Sequence, residues 1–242
     1  MEKSCYIVGG GPSLISFDYS LLKGKNVIAV NQSIFHVPNA KHFVTMDYTW
    51  VSRNRIAGER SDPRGTRKAF MQSGAEKTFV VSFSGERLEI VDEWHLIDKE
   101  FGISYDLTAF DHVVHVAAYG GMGQSYRDFR CGSDSGYSAI QLAVIEGYTE
   151  IHLLGFDFCT TAQGTHFHKD YADRDRKKYD FLLQEYLIAY PMALEELRRD
   201  LGVKLFSCST LSKLNRYIPY KHLGDEHEAE HSDDVSQQAE AV

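Results

Sequence analysis

The chain has 242 residues, of which 43% are hydrophobic and 25% charged, with a formal net charge of −8. That length accommodates one sizeable domain with a buried core. No apolar run approaches the roughly 20 residues needed to cross a bilayer, and the start, Met1-Glu2-Lys3-Ser4, leads into no signal-peptide core. Cys5, Cys131, Cys159 and Cys208 are scattered without a C-x-x-C pair. The spacing excludes a disulfide framework and a cysteine zinc site, and points to a reducing, cytoplasmic setting. Cys5 and Cys208 sit in apolar strand-like runs, which places both in the core. From Gly224 onward there are seven acidic residues and no Lys or Arg, so the remainder of the chain carries only −1. This tail, residues 224–242, has almost no large apolar residue and is predicted to be disordered.

In chain order, residues 5–8 form the first predicted strand, which runs into Gly9-Gly10-Gly11-Pro12-Ser13. Three residues without Cβ permit a sharp turn and a close approach to main-chain N–H groups, and Pro12 and Ser13 suit a first helical turn. An anion is favoured at such a point; a tight turn that binds nothing is the alternative. Further strands are predicted over 26–30, ending at Asn31, over 42–46, ending at Asp47, and over 78–83 and 112–117. Residues 138–146 read as a helix, 150–155 as a strand, 179–201 as helix interrupted at Pro191, and 203–208 as the last strand.

Several of these strands are continuous apolar runs, as expected when both faces of a sheet are covered. The predicted fold is therefore α/β: a Rossmann-like, mostly parallel sheet with a small lid segment. Residues 1–223 form a single nucleotide-binding domain, with the lid near 159–190. Ligands in such sheets bind beyond the carboxyl ends of the strands. Gly9, Gly10, Gly11, Pro12, Ser13, Asn31, Gln32, Asp47 and Asp157 fall there. Asn31 and Gln32 can both donate to and accept from a base or ribose; turn capping is the plainer role for Asn31 and Asp47. Gly132-Ser133-Asp134-Ser135-Gly136-Tyr137 offers a second helix-start site, or an ordinary N-cap by Asp134 or Ser135.

Together, G-x-G-P-S-L at the first turn, V-N-Q after the second strand, and S-G-Y-S-A-I-Q-L-A followed by G-Y-x-E-I-x-L-L-G-F-D-F resemble one group of proteins. These are the bacterial sialyltransferases of glycosyltransferase family forty-two, with uncharacterised phage and bacterial relatives and, more distantly, 6-hydroxymethylpterin pyrophosphokinase-like proteins. The resemblance runs from about Tyr6 to Leu214, is strongest over 135–158, and takes almost nothing from 53–126. It implies a nucleotide-sugar donor, with Gly9, Gly11, Pro12 and Ser13 on the phosphate side. Asn31 and Gln32 would meet the ribose or base, Ser135 and Gly136 the nucleotide from the other side, and Asp157 would close the crevice. The chain departs from the pattern at three points. The Asn between the first glycines is Gly10, the Tyr two residues beyond the strand-end Asp is Cys159, and the catalytic His falls near Glu185.

Replacement chemistry is expected in Thr165-His166-Phe167-His168-Lys169-Asp170-Tyr171. A histidine titrating near neutrality can take the proton of an acceptor hydroxyl, and His168 is favoured over His166 for this step. Lys169 and Tyr171 would steady the departing phosphate. On an extended segment His166 and His168 face the same side. His-x-His-x-Asp also has a spacing that can hold a divalent metal, although the resembled enzymes need none, and no metal or other cofactor is expected. Residues 53–68 carry a net charge of +4, as a solvated loop or as a flap for a phosphate or an anionic acceptor.

The expected function is transfer of a sugar from a nucleotide-sugar donor to a saccharide or other hydroxyl acceptor. The resemblance to phage proteins leaves DNA open as an acceptor without favouring it, and a homo-oligomer is compatible with the sequence. Metal-dependent pyrophosphokinase-like phosphoryl transfer and nucleotide binding without turnover are the alternatives.

Overall fold

The structure is a computed structural model that describes residues 3–37, 39–54, 56, 65–82, 88–132, 134–169 and 175–223. The acidic tail, Asp170, Tyr171 and, within the basic run over 53–68, residues 55 and 57–64 lie outside the described residues.

Along the chain, β1 (Ser4–Val8), β2 (Val27–Val30) and β3 (His42–Thr45) precede two short helices, α1 (Tyr48–Arg53) and α2 (Thr66–Met71). Next come β4 (Lys77–Ser82), then β5 (Leu88–Ile90), β6 (His95–Asp98) and β7 (Ile103–Asp106), and β8 (His112–His115). The short strands β9 (Ala118–Tyr119) and β10 (Arg130–Cys131) lead to helix α3 (Ser135–Ile145) and strand β11 (Glu150–Leu154). Helices α4 (Arg176–Ile188) and α5 (Tyr190–Asp200) and strand β12 (Lys204–Ser207) complete the fold.

Among the described residues, seven strands form one sheet in the order β12-β11-β1-β2-β3-β4-β8, and every ladder in it is parallel. These are the seven strands expected from the sequence, with ends that shift by one or two residues. The chain winds outward from β1 to β8 and then crosses back to place β11 on the other side of β1. The switch point therefore lies between β1 and β11, where open α/β sheets leave a crevice.

Side chains alternate strictly between two apolar layers. Cys5, Ile7, Ile28, Val44 and Leu153 face α3 and α5, whereas Tyr6, Val8, Ala29, Phe43 and Leu154 face the short helical turns, α1, α2 and the β5–β7 sheet. Both faces are dry, which is why these strands read as unbroken apolar runs. α3 is buried almost all round, from Ser135 to Ala143, as befits a helix clamped between the sheet and α5.

Three local features differ from the sequence reading. Pro12–Leu14 makes only a single 3-10 turn, not the start of a longer helix. The helical break falls at Ala189 rather than at Pro191, which sits in the first turn of α5, where its missing N–H costs no hydrogen bond. The crossover from β4 to β8 carries a three-stranded antiparallel sheet, β5-β6-β7, that sequence reading did not find.

At the end of the sheet away from the switch point, His42 is 2% exposed and faces Glu146, with Nε2 to Oε2 at 3.6 Å. Burial pushes His42 down to about 4, outweighing the pull of the Glu146 carboxylate. Burial alone would raise Glu146, but the Tyr126 hydroxyl and the charges of His42 and Lys77 hold it below its usual range. Between pH 6.5 and about 4 the unfolded chain binds a proton at His42 that the folded chain refuses, so stability falls as pH drops through that window. The Glu146 contribution is lost in turn below about pH 4.5. Urea midpoints measured from pH 7 to 4 are expected to fall less steeply for His42→Gln than for wild type. An unchanged slope would assign the acid sensitivity to other groups.

Candidate active site

The turns after β1 and β11 meet at the switch point through main-chain contacts. Gly9 N donates to Leu154 O and Gly11 N to Gly155 O, both at 2.8 Å, and Ser13 N donates to Asp157 Oδ2 at 2.7 Å. A Cβ on Gly11 would run into Asp157 Oδ2 and come within 2.7 Å of the Gly155 carbonyl oxygen. Gly155 itself has φ +70, a conformation open to glycine at little cost. The first turn thus uses its glycines for close packing of one turn against another, and most of its N–H groups are engaged within the protein. Gly10 itself lines the space beside this turn.

Above this junction lies a cleft of about 560 Å³. It is lined by Gly9, Gly10, Gly11, Pro12, Asn31, Gln32, Ser135, Gly136, Asp157, His166 and His168, all of them expected from the sequence. Ser13 and Lys169 are not among the lining residues. The Ser13 N–H is engaged by Asp157, and Lys169 is exposed. Tyr171 lies outside the described residues. Glu185, where the resemblance places a catalytic histidine, is exposed on α4 and does not line the cleft.

Each polar wall has a defined hydrogen-bonding sense. Asn31 adopts φ 51 at the end of β2, and its Oδ1 is buried without a partner. Gln32 Oε1 accepts from Trp50 Nε1 at 3.1 Å, and an indole N–H can only donate, so Gln32 turns its NH₂ outward. Ser135 Oγ accepts from Met46 N at 3.0 Å, which leaves its own proton to donate. Asp157 is 1% exposed; one carboxylate oxygen fixes the first turn and the other, Oδ1, is buried without a partner. Asp134 caps α3 by accepting from Gly136 N and Tyr137 N, and it also takes the Tyr190 hydroxyl at 3.0 Å. This is the capping alternative for the 132–137 segment, and it leaves the α3 terminus little free N–H to offer an anion. Asp47 likewise caps α1 through Trp50 N.

The histidine segment is fastened to the glycine turn by a hydrogen bond from Phe167 N to Gly10 O at 3.2 Å. The His166 ring lies over Gly10, with Cδ2 only 3.2 Å from where a Cβ at residue 10 would sit. The space beside Gly10 is thus occupied by an imidazole. His166 is oriented from both sides, by Thr165 Oγ1 at 3.0 Å from Nδ1 and by Tyr179 Oη at 2.7 Å from Nε2. The His168 ring centroid lies 5.1 Å from that of His166, so the two do face the same cleft.

Sequence reading placed a lid near 159–190 but named no side chain of α4 as lining the cleft. Tyr179, Leu182, Leu183 and Tyr186 line the cleft at i, i+3, i+4, i+7 spacing, a legible helical stripe. α4 is tied to the turn after β11 by Asp180, which accepts from Thr160 N and Oγ1 at 3.0 Å each, and by Gln184 Nε2 on Phe158 O. Phe158 holds φ 52, a second strained residue at the cleft. Leu88 and Asp98 of the small sheet also border the cleft, with no sequence signal that could have placed them there. Among the described lining residues there is no lysine or arginine, so positive charge opposite a bound phosphate falls to the two histidines.

The contact geometry predicts a graded cost at the first turn. Gly11→Ala should lower stability by about 1–3 kcal/mol, because rigid backbone and a buried carboxylate must move. Gly10→Ala, which meets only a side-chain imidazole, should cost under about 1 kcal/mol. Urea titration of both variants checks this order; equal costs would contradict the packing role of Gly11.

No protein-family model matches the chain, and no curated protein matches it in sequence. Among solved structures it is similar to the sialyltransferase CstII from Campylobacter jejuni in complex with the substrate analogue CMP-3FNeuAc. That match has 21% identity and a TM-score of 0.52, and it covers 91% of this chain and 86% of the other. It is also similar to the sialyltransferase CST-II in complex with a trisaccharide acceptor and CMP, at 19% identity and a TM-score of 0.51, covering 90% of this chain and 86% of that one. At these identities the likeness shows a shared fold: the chain has the α/β architecture of those sialyltransferases.

Proposed function

We propose that the protein is a nucleotide-sugar-dependent glycosyltransferase that moves a sugar to a saccharide or other hydroxyl acceptor. One observation carries the reading: a switch-point cleft presents two unpartnered buried acceptors, Asn31 Oδ1 and Asp157 Oδ1, together with the outward NH₂ of Gln32. Buried acceptors without partners are costly, and a ligand rich in hydroxyl or amino donors relieves that cost. A nucleoside sugar has such groups at both ends. The shared fold with enzymes described in complex with CMP and a sugar analogue supports the same reading.

In this reading His168 takes the proton of the acceptor hydroxyl as its oxygen attacks the anomeric carbon. His166, engaged at both ring nitrogens, positions the Tyr179 phenol, and that hydroxyl donates to the departing phosphate. Tyr179 thereby replaces from α4 the phenol missing at Cys159.

A thermal-shift panel of CMP, UDP, GDP, ADP and ATP, with and without Mg²⁺, tests the site. At about 100-fold excess over Kd, the preferred nucleotide should raise Tm by roughly 5–10 °C without metal. His168→Ala should keep that shift while transfer falls by about 10²–10⁴-fold. No shift with any nucleotide, or a shift with ATP only in the presence of metal, would overturn the proposal.

A further inference from the structure

A second cluster of reactive side chains lies outside the cleft, on the sheet face opposite α3. Tyr6, His152 and Phe206 form one rung across β1, β11 and β12. The imidazole stacks between the two rings, at 4.6 Å and 13° from Tyr6 and 5.3 Å and 19° from Phe206. His152 is 1% exposed. Its Nε2 lies 2.8 Å from Glu150 Oε1 and its Nδ1 lies 4.0 Å from Cys208 Sγ.

The order of protons follows from the partners. Lys221 Nζ meets Glu150 Oε1 at 3.0 Å. Burial would raise Glu150, but the Lys221 hydrogen bond and the charges of Lys221 and His152 outweigh it and keep the group ionised. A carboxylate only accepts, so the imidazole proton sits on Nε2 and the Nδ1 lone pair faces the thiol. Lys204 is the register partner of Glu150 on β12, and Lys25 lies across the Tyr6 ring at 4.8 Å and donates to its hydroxyl at 3.3 Å. Lys221 covers Phe206 in the same way.

Cys208 also departs from the expectation that it is core: it is only half-buried, unlike Cys5 and Cys131. Burial pushes the thiols of those two up, Cys131 to about 11, and it raises Cys159 as well.

We propose that Cys208, His152 and Glu150 form a second reactive centre, in which Cys208 is a base-activated thiol that exchanges with small organic disulfides. The Sγ proton passes to His152 Nδ1, and the thiolate attacks one sulfur of the disulfide. A new S–S bond forms as the old one breaks, and the leaving thiolate recovers the proton from the imidazolium. The products are a mixed disulfide on Cys208 and one free thiol, with the disulfide as the oxidant. The centre shares no residue with the cleft and does not depend on the glycosyltransferase reading.

The test is the reaction of the intact protein with the chromogenic disulfide dithiobis-nitrobenzoate, followed against pH. One thiol per chain should react at least about 10-fold faster at pH 7 than an ordinary cysteine, with an inflection well below about 8.5. Cys208→Ser should abolish the fast phase and Cys159→Ser should retain it. Glu150→Gln, with its fold checked by circular dichroism, should move the inflection upward. A fast phase that survives in Cys208→Ser would overturn the proposal. So would a wild-type inflection at about 8.5 or above, a result that needs no variant to fold.

Discussion

The molecule is organised around the approach of two backbone turns, Gly9–Pro12 after β1 and Gly155–Asp157 after β11. Hydrogen bonds from Gly11 N to Gly155 O and from Ser13 N to Asp157 Oδ2 hold them at a distance that no side chain at residue 11 would permit. Two walls of the cleft are fastened to this junction. The histidine segment hangs from Gly10 O, and α4 is fastened to the turn that follows Asp157. Asn31 sits at the end of the strand beside β1.

The electrostatics of the cleft follow from how its acids are used. Asp134 and Asp47 are bound into helix N-termini, and Asp157 is bound in part to the first turn. Aligned N–H groups offset each of these charges. What remains open to a ligand is the second oxygen of Asp157 and a set of neutral donors and acceptors, with two imidazoles among the lining residues. Such a site discriminates by hydrogen-bond pattern more than by net charge, and its affinity for an anion varies with the protonation of the histidines.

Much of this was legible in the sequence because the relevant signals are local. Seven apolar runs gave seven strands, and the glycine run, Asn31-Gln32 and Asp157 fell at strand ends, where an open α/β sheet must place its crevice. His166 and His168 share a cleft, as their alternation implied. Other features depended on partners distant in sequence. Nothing nearby in the chain announces that Leu154 and Gly155, more than 140 residues later, take up the N–H groups of Gly9 and Gly11, or that Asp157 takes up that of Ser13. The Tyr179–Tyr186 stripe was visible but has the same pattern as a core-facing helix. The strands of the small sheet, Leu88–Ile90, His95–Asp98 and Ile103–Asp106, mix buried and exposed positions and lack a continuous apolar run, and the exposure of Cys208 depends on where the sheet ends.

The ladder order also bears on how the chain acquires its shape during synthesis. β1 is made first yet lies inside the sheet, and its Ser4–Glu150 pairing joins residues 146 positions apart. Until β11 emerges, a nascent chain that has already paired β1 with β2 displays an open apolar edge along Cys5–Val8, which is the kind of edge on which other chains can pair. Closure of that edge and assembly of the cleft are one event, because the turn that seals β1 is the turn that carries Asp157.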